Sequence, residues 1–417
     1  MLVKILNFSF LLLIFSLPFV QPLNFNLFNS DVQFTDVIFL FVAVIFVILI
    51  LMKKTEFIFH RFYFLLVFYF LAILLSLIFS TNSKQSTVKI CGEIYLIGLC
   101  VLTVNVVRTA DVFKKVVLVW LAAAGIVSFI GTLTVILFYV APDNVLLSFT
   151  LHHYGTLFPG NYPRIQTTFY YPAMLCHYLS ISLLLLFISI KNGWIYRSMF
   201  IILLTVVSIC LFFTLTPGLG GVCLSVGIWL WLILREKSNL RSARLILFAG
   251  VFLSVIFIFV TLISPIQTST SPYFVNVPII DKRLDPSVRV LTWQSSLETF
   301  LKYPIFGKGV GTDAADVIYK DASGRTQNLR DAHQLWLNVA AQEGIFGLAA
   351  ITAITVYFFL YCFPPTFDGT EKKVVQTGLA IAFLSAFVFQ GLFGSFENAR
   401  HLWILFGLIL SVEKFNS

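Results

Sequence analysis

Arg330 to Gly347 reads RDAHQLWLNVAAQEGIFG, and its polarity is out of place in the apolar run that it opens. Arg330, Asp331 and His333 stand at the mouth and Glu343 well inside, in a stretch that a lipid bilayer would otherwise accept. The composition around it sets the class. Hydrophobic residues make up 59% of the 417-residue chain and charged residues 11%, with a mean hydropathy of +0.94. A soluble domain is about half apolar and a quarter charged. Runs able to cross a ~30 Å hydrocarbon core as helices fall near 4–22, 33–52, 62–80, 90–107, 116–140, 173–190, 198–214, 218–234, 245–264, 333–361, 374–394 and 401–413. The chain therefore reads as an all-α polytopic membrane protein of about twelve transmembrane helices, forming a single transmembrane domain over 1–417. The first run has no A-x-A-like cleavage site and more membrane follows it, so it reads as a retained helix rather than a signal peptide.

Lysine and arginine then orient the bundle, because short translocated loops lose them and cytoplasmic loops keep them. With the amino and carboxyl termini cytoplasmic, sixteen of the 28 basic residues fall inside. Only Lys84, Lys89, Arg164 and Arg400 fall in short outer loops, and the other eight lie in one segment too long for the rule to count. The net charge of +9 is thus explained by the inner loops, which leaves no argument for a nucleic-acid partner. The six cysteines fall within or beside apolar runs without a CxxC pair, so neither a disulfide framework nor a metal site is expected.

Two outer segments are long, 141–172 and 265–332, and loops of that length are usually functional. The second contains an amphipathic helix at about 286–301, with Asp285 as N-cap, Pro286 in the first turn, and Val290, Trp293, Leu297 and Phe300 at helical spacing until Tyr303-Pro304 ends it. Such a helix suits the membrane surface or the side of the bundle, with Arg289 at headgroup depth. In this topology Arg164, Arg289, Arg330, His333, Glu397, Arg400 and His401 all gather at the outer face. So does the turn TLTPGLGG, Thr214–Gly221, where Thr216 and Gly218 offer backbone amides to an anion at a helix start. Cations there run against the orientation bias, and several at one depth suit a diphosphate, whose paired oxyanions accept forked guanidinium hydrogen bonds. Each of them taken singly also has the plain reading of an arginine snorkelling to headgroups. Glu343 lies ten residues past His333, hence ~15 Å deeper and about 80° around a continuous helix. It reads, like Glu93, as neutral or paired to fix helix packing, with Gly344 and Gly347 permitting close helix approach.

DPSVRVLTWQSSLETFLKYPIFGKGVGT followed by AHQLWLNVAAQEGIFGL resembles the signature region of the bacterial O-antigen ligase and O-antigen polymerase family, and PRIQTTFYYPAMLCHYL is similar to that family's arginine-bearing segment before a middle transmembrane helix. The resemblance covers about 160–410 in outline and is dense over about 285–348. It implies a GT-C-like helical glycosyltransferase of the bacterial inner membrane, with its active site in the periplasm. The implied donor is a glycan on undecaprenyl diphosphate and the acceptor a hydroxyl, with inversion, no metal and no cofactor. The resemblance also implies that Arg164 and Arg289 hold the diphosphate and that His333 orients or deprotonates the acceptor. Where the family often has Ser-Arg-Gly this chain has Thr216, Pro217 and Gly218, so one cation is missing and Arg330 or Arg400 is expected to substitute. Gln334 replaces the usual Asn after the histidine.

The reading that follows is an O-antigen ligase, transferring glycan to a lipid A core sugar in lipopolysaccharide biosynthesis, with a polysaccharide polymerase using lipid-linked repeat units as the nearest alternative. A flippase or transporter of lipid-linked oligosaccharide belongs to another class. It would show two similar halves and polar residues strung along a central path, and the chain has no six-helix repeat.

Overall fold

The computed structural model describes residues 1–21, 24–27, 30–152, 162–237, 239–264, 275–277, 282–320, 326–363, 365–368 and 370–415. Parts of both long outer segments, 153–161, 265–274, 278–281 and 321–325, lie outside the described residues. The architecture is a helical bundle. Its elements are α1 (Leu2–Ser16), α2 (Phe34–Leu51), α3 (Tyr63–Leu77), α4 (Ser83–Val106), α5 (Ala110–Val140), α6 (Leu147–Thr150), α7 (Pro172–Lys191), α8 (Arg197–Phe213), α9 (Gly218–Glu236), α10 (Leu240–Leu262), α11 (Val288–Lys302), α12 (Leu335–Cys362), α13 (Glu371–Phe383, continued by a π-helical turn Leu384–Phe389) and α14 (Arg400–Ser411). Short antiparallel strand pairs are confined to the connections.

Among the described residues eight helices are long and apolar enough to span a membrane, and α1, α3, α8 and α14 are apolar but shorter. Every apolar run of the sequence is helical, and the chain is a polytopic membrane protein. α7 is the central post, buried along nearly its whole length, whereas α10 buries only Ala243, Gly250 and Ser254 and turns the rest of its surface outward. α10 rests on α9 through small residues: a methyl on Gly227 would sit 3.1 Å from the Gly250 Cα, an approach typical of helices that pack in lipid.

α4 begins seven residues earlier than its apolar run, at Ser83, where Asn82 accepts from the Gln85 amide. Lys84 and Lys89, expected in an outer loop, are therefore helical. Lys89 Nζ lies 3.2 Å from Glu93 Oε1 and 3.6 Å from Glu397 Oε1, and donates to Asn398 Oδ1 at 2.6 Å. Glu93 is thus paired within α4, and Lys89 joins that helix to the turn before α14.

α12 is not continuous. Gly344 has φ 67°, ψ −158°, and the chain 304–309 from the end of α11 fills the break. Lys308 N–H donates to Ala341 O at 2.9 Å, Gly309 N–H to Gln342 O at 3.1 Å, and Ile345 N–H to Pro304 O at 2.9 Å. The backbone groups freed by the break are thus satisfied by a loop, the condition for irregular chain at membrane depth. Gly307 and Gly344 have no alternative here. Both hold positive φ, and a Cβ on either would run into the backbone of the other strand of this crossing. Gly344 is therefore a hinge in the helix rather than a packing residue, while Gly347 lies against Glu343, whose buried Oε2 has no hydrogen-bond partner. Because helix starts only at Leu335 and breaks at Gly344, the continuous-helix spacing between His333 and Glu343 does not apply.

Candidate active site

One end of the bundle collects the starts of α2, α7, α9, α12 and α14 and the ends of α1, α8 and α13, and the connections there hold the polar groups that the sequence singled out. Arg164 lies in the strand-like stretch before α7. Its carbonyl accepts from His152 N–H at 2.8 Å, and its Nε donates to Thr214 O at 3.2 Å. The TLTPG turn, where the resemblance expects an arginine, thus receives Arg164 through a carbonyl. Leu215 there has φ 48° and the Thr214 and Thr216 hydroxyls lie 3.3 Å apart, both side chains buried. Gly218 is also buried, with Gln390 and Cys176 too close for any side chain.

Arg289 lies in the first turn of α11. The N-cap position is Ser287 rather than Asp285, and Asp285 and Pro286 belong to the short strand Lys282–Pro286. The face that α11 presents inward is small and polar: Thr292 and Ser296 are buried, and Thr292 Oγ1 donates to Ala332 O at 3.1 Å. Leu297 and Leu301 are exposed on the other side. The leucine side of the helix therefore points away from the bundle, as suits a lipid interface, whereas Trp293 packs toward Phe393 with ring centroids 6.2 Å apart. Arg289 follows the polar face inward and donates through Nη1 to Phe393 O, in the turn between α13 and α14.

His333 ends the segment before α12 with φ 50°, a left-handed conformation that costs a non-glycine residue about 1 kcal/mol or more. The strain is held in place on both sides. Asp331 Oδ1 accepts the His333 N–H at 2.6 Å and lies 3.5 Å from its ring Nδ1, while Ser395 Oγ donates to the same oxygen at 2.7 Å. On the other side Gln334 caps α12, its side chain accepting from Leu337 N–H. The replacement of the usual Asn by Gln thus keeps a capping acceptor.

The charges show that these groups are neighbours. Burial draws the Arg289 guanidinium down to about 10, with the Arg164 charge pushing the same way and Asp331 opposing. Burial likewise lowers Arg164. The His333 imidazole falls below its ordinary range, through burial first, with Arg289 adding to the fall and Asp331 working against it. Arg164, Arg289, Asp331 and His333 therefore share one electrostatic neighbourhood, assembled from the segments before α7, in α11 and before α12. At neutral pH both guanidinium groups stay charged and the imidazole is neutral.

The two expected substitutes are engaged elsewhere. Arg330 is largely exposed, with Nε 3.8 Å from Asp313 Oδ2. Arg400 Nη2 lies 2.8 Å from Asp36 Oδ1, Nη1 donates to Gln33 Oε1, and the guanidinium sits over the Tyr95 ring at 5.4 Å, so it ties α14 to α2. His401 is buried in the core, with Nε2 2.6 Å from His177 Nδ1. Two cavities, about 330 Å³ beside Tyr303–Lys308 and about 270 Å³ at the opposite end beside Tyr361 and Glu413, are lined by other residues. Sequence reasoning left Asp331 and Ser395 without a role. Asp331 two residues before the histidine was a visible Asx-turn signal, whereas Ser395 is brought in by tertiary packing alone.

No curated protein and no solved structure matches the chain. Residues 199–352 match the O-antigen ligase family model, a span that contains Thr216, Gly218, Arg289, Arg330 and His333 but neither Arg164 nor Arg400. The membrane bundle and the matched segment agree in kind: over residues 199–352 this membrane protein is similar to the O-antigen ligase family.

Proposed function

We propose that this protein transfers a glycan from undecaprenyl diphosphate to an acceptor hydroxyl at the periplasmic face of a bacterial inner membrane, as an O-antigen ligase with a lipid A core sugar as acceptor. The observation that carries the reading is that one turn, between α13 and α14, holds both Arg289, through Phe393 O, and the Asp331 partner of His333, through Ser395 Oγ, with the Arg164 charge acting on Arg289 from a separate segment. Like charges held together this way cost free energy in the empty site and repay it when an anion of matching span arrives. A diphosphate matches, because two tetrahedral groups carry oxyanions for two planar forks.

Catalysis needs little more. The lipid diphosphate departs from the anomeric carbon as an anion, and Arg164 and Arg289 stabilise the charge that grows on the bridging oxygen as the bond lengthens. His333, neutral at working pH, takes the proton of the incoming hydroxyl while that oxygen attacks from the face opposite the diphosphate. A single displacement of this kind inverts the anomeric centre. The fixed guanidinium groups perform the charge neutralisation that a divalent ion would otherwise supply, so the reaction is read as metal-independent.

The test is transfer by purified protein in a bilayer or detergent. The donor is a glycan on undecaprenyl diphosphate, and the acceptors are a core glycolipid in one arm and a second lipid-linked glycan in the other. Product on the core glycolipid fits the ligase, product only on the lipid-linked glycan moves the assignment to polymerase, and absence of transfer to either ends the reading.

A further inference from the structure

The mechanism leaves unused Asp331, which touches its base, and Ser395, which touches Asp331. We infer that Asp331 is the positioning residue of the site, and that one carboxylate oxygen fixes both the main chain beneath His333 and the orientation of its ring. The inference rests on the proposed role of His333 as proton acceptor.

Three contacts meet at Asp331 Oδ1. The His333 amide donates at 2.6 Å, the Ser395 hydroxyl donates at 2.7 Å, and His333 Nδ1 lies 3.5 Å away. The first closes an Asx turn that stabilises the left-handed φ of 50° at His333. Without that acceptor a β-carbon-bearing residue would relax toward negative φ and carry the ring out of the site. The second ties the carboxylate to the α13–α14 turn, which also supplies the Phe393 carbonyl to Arg289. Base and diphosphate-binding arginine are therefore referenced to one turn. The third favours the tautomer with the proton on Nδ1, which leaves the Nε2 lone pair as the acceptor for a substrate proton. When His333 takes that proton the ring becomes a cation with both nitrogens protonated, and the Asp331 anion faces it. No covalent bond is made or broken by Asp331, and it keeps its own charge throughout.

Other charged groups around the ring act in definite directions. Arg289 of α11 opposes protonation of His333, and Asp331 favours it. Arg164 acts on Arg289, and Glu397, in the same turn as Ser395, lies close enough to Asp331 for that charge to act on its carboxyl.

Asp331→Asn and Asp331→Ala separate the two duties. Asparagine keeps an oxygen for the His333 amide and the Ser395 hydroxyl but loses the charge, while alanine loses both. We expect Asp331→Asn to retain the wild-type melting temperature in detergent and the wild-type Kd for polyprenyl diphosphate, yet to lower kcat by about 10²-fold. Its acid limb of kcat/KM moves to lower pH, because the charge that favoured imidazolium is gone. Asp331→Ala should lose at least as much kcat. Wild-type kcat and an unmoved acid limb in Asp331→Asn would overturn the inference, as would equal kcat losses in both variants accompanied by equal drops in melting temperature. His333→Gln run alongside keeps the two readings apart. Full activity in that variant removes the base itself, whereas an inactive His333→Gln beside a wild-type Asp331→Asn removes only the positioning role.

Discussion

The two ends of the bundle treat their cations differently. At the end where the two chain termini meet the bundle, Lys191 Nζ is 2.8 Å from Glu236 Oε2 and Lys115 Nζ is 2.7 Å from Asp111 Oδ2 in exposed ion pairs, while Arg108 donates to the Asn105 and Glu56 carbonyls. At the other end Arg164 and Arg289 also donate to main-chain carbonyls, and burial draws Arg289 down to about 10. Arg400 makes the contrast within that same end, because Asp36 and Tyr95 give it the partners of a structural residue. A cation paired with a carboxylate is already neutralised. Arg289, aimed by a carbonyl, keeps its charge beside His333, and that placement sets it apart from Arg400.

The largest break in this comparison is expected at the base. His333→Gln should lower turnover by about 10³-fold while leaving polyprenyl diphosphate binding intact, as read from single-turnover transfer and direct binding on the same preparation. Next comes Arg289→Ala, expected to cost roughly 10²-fold in kcat/KM, with Arg289→Lys restoring only a small part because one ammonium cannot replace a fork. Arg400→Ala, by contrast, should leave kcat/KM within about threefold and show its loss as a lower melting temperature, since it removes the α2–α14 tie. Arg289→Ala should also move the acid limb of any remaining kcat/KM upward, because Arg289 holds His333 below its ordinary range. In the wild type that limb lies below the usual histidine value, so activity persists as pH falls through about 6.5. At the far end, Lys191→Ala should change stability by no more than about 1 kcal/mol and leave transfer untouched, since its ion pair is solvent-accessible.

Much of this was legible in the sequence, and what escaped did so for physical reasons. Apolar runs located each helix because lipid tolerates little else, and Arg164, Arg289 and His333 stood out as cations or imidazole on the side that the orientation rule leaves poor in charge. The same rule could not see that Lys89 is helical, because α4 extends past its apolar run on a polar first turn that Asn82 caps. Nor could periodicity find the break in α12. Glycine at 344 looks the same whether it admits a neighbouring helix or holds φ 67°, and only the 304–309 chain docked against it decides. Periodicity also left open whether α11 lies at the membrane surface or against the bundle. Leu297 and Leu301 face outward, while the inward side carries Thr292 and Ser296, with Trp293 packed toward Phe393. Arg400 matched in type and side, yet Asp36, distant in sequence, ties it to α2, while Arg330 stays exposed near Asp313.

The central claim is that Arg164 and Arg289 bind one diphosphate between them. A double-mutant cycle tests it most directly, with the Kd for polyprenyl diphosphate measured on wild type, Arg164→Ala, Arg289→Ala and the double variant. Each single loss should be about tenfold or more and the double loss clearly smaller than their product, since removing either arm spoils the shared grip. Single variants that bind as wild type, or losses that multiply as for unrelated sites, would contradict the account.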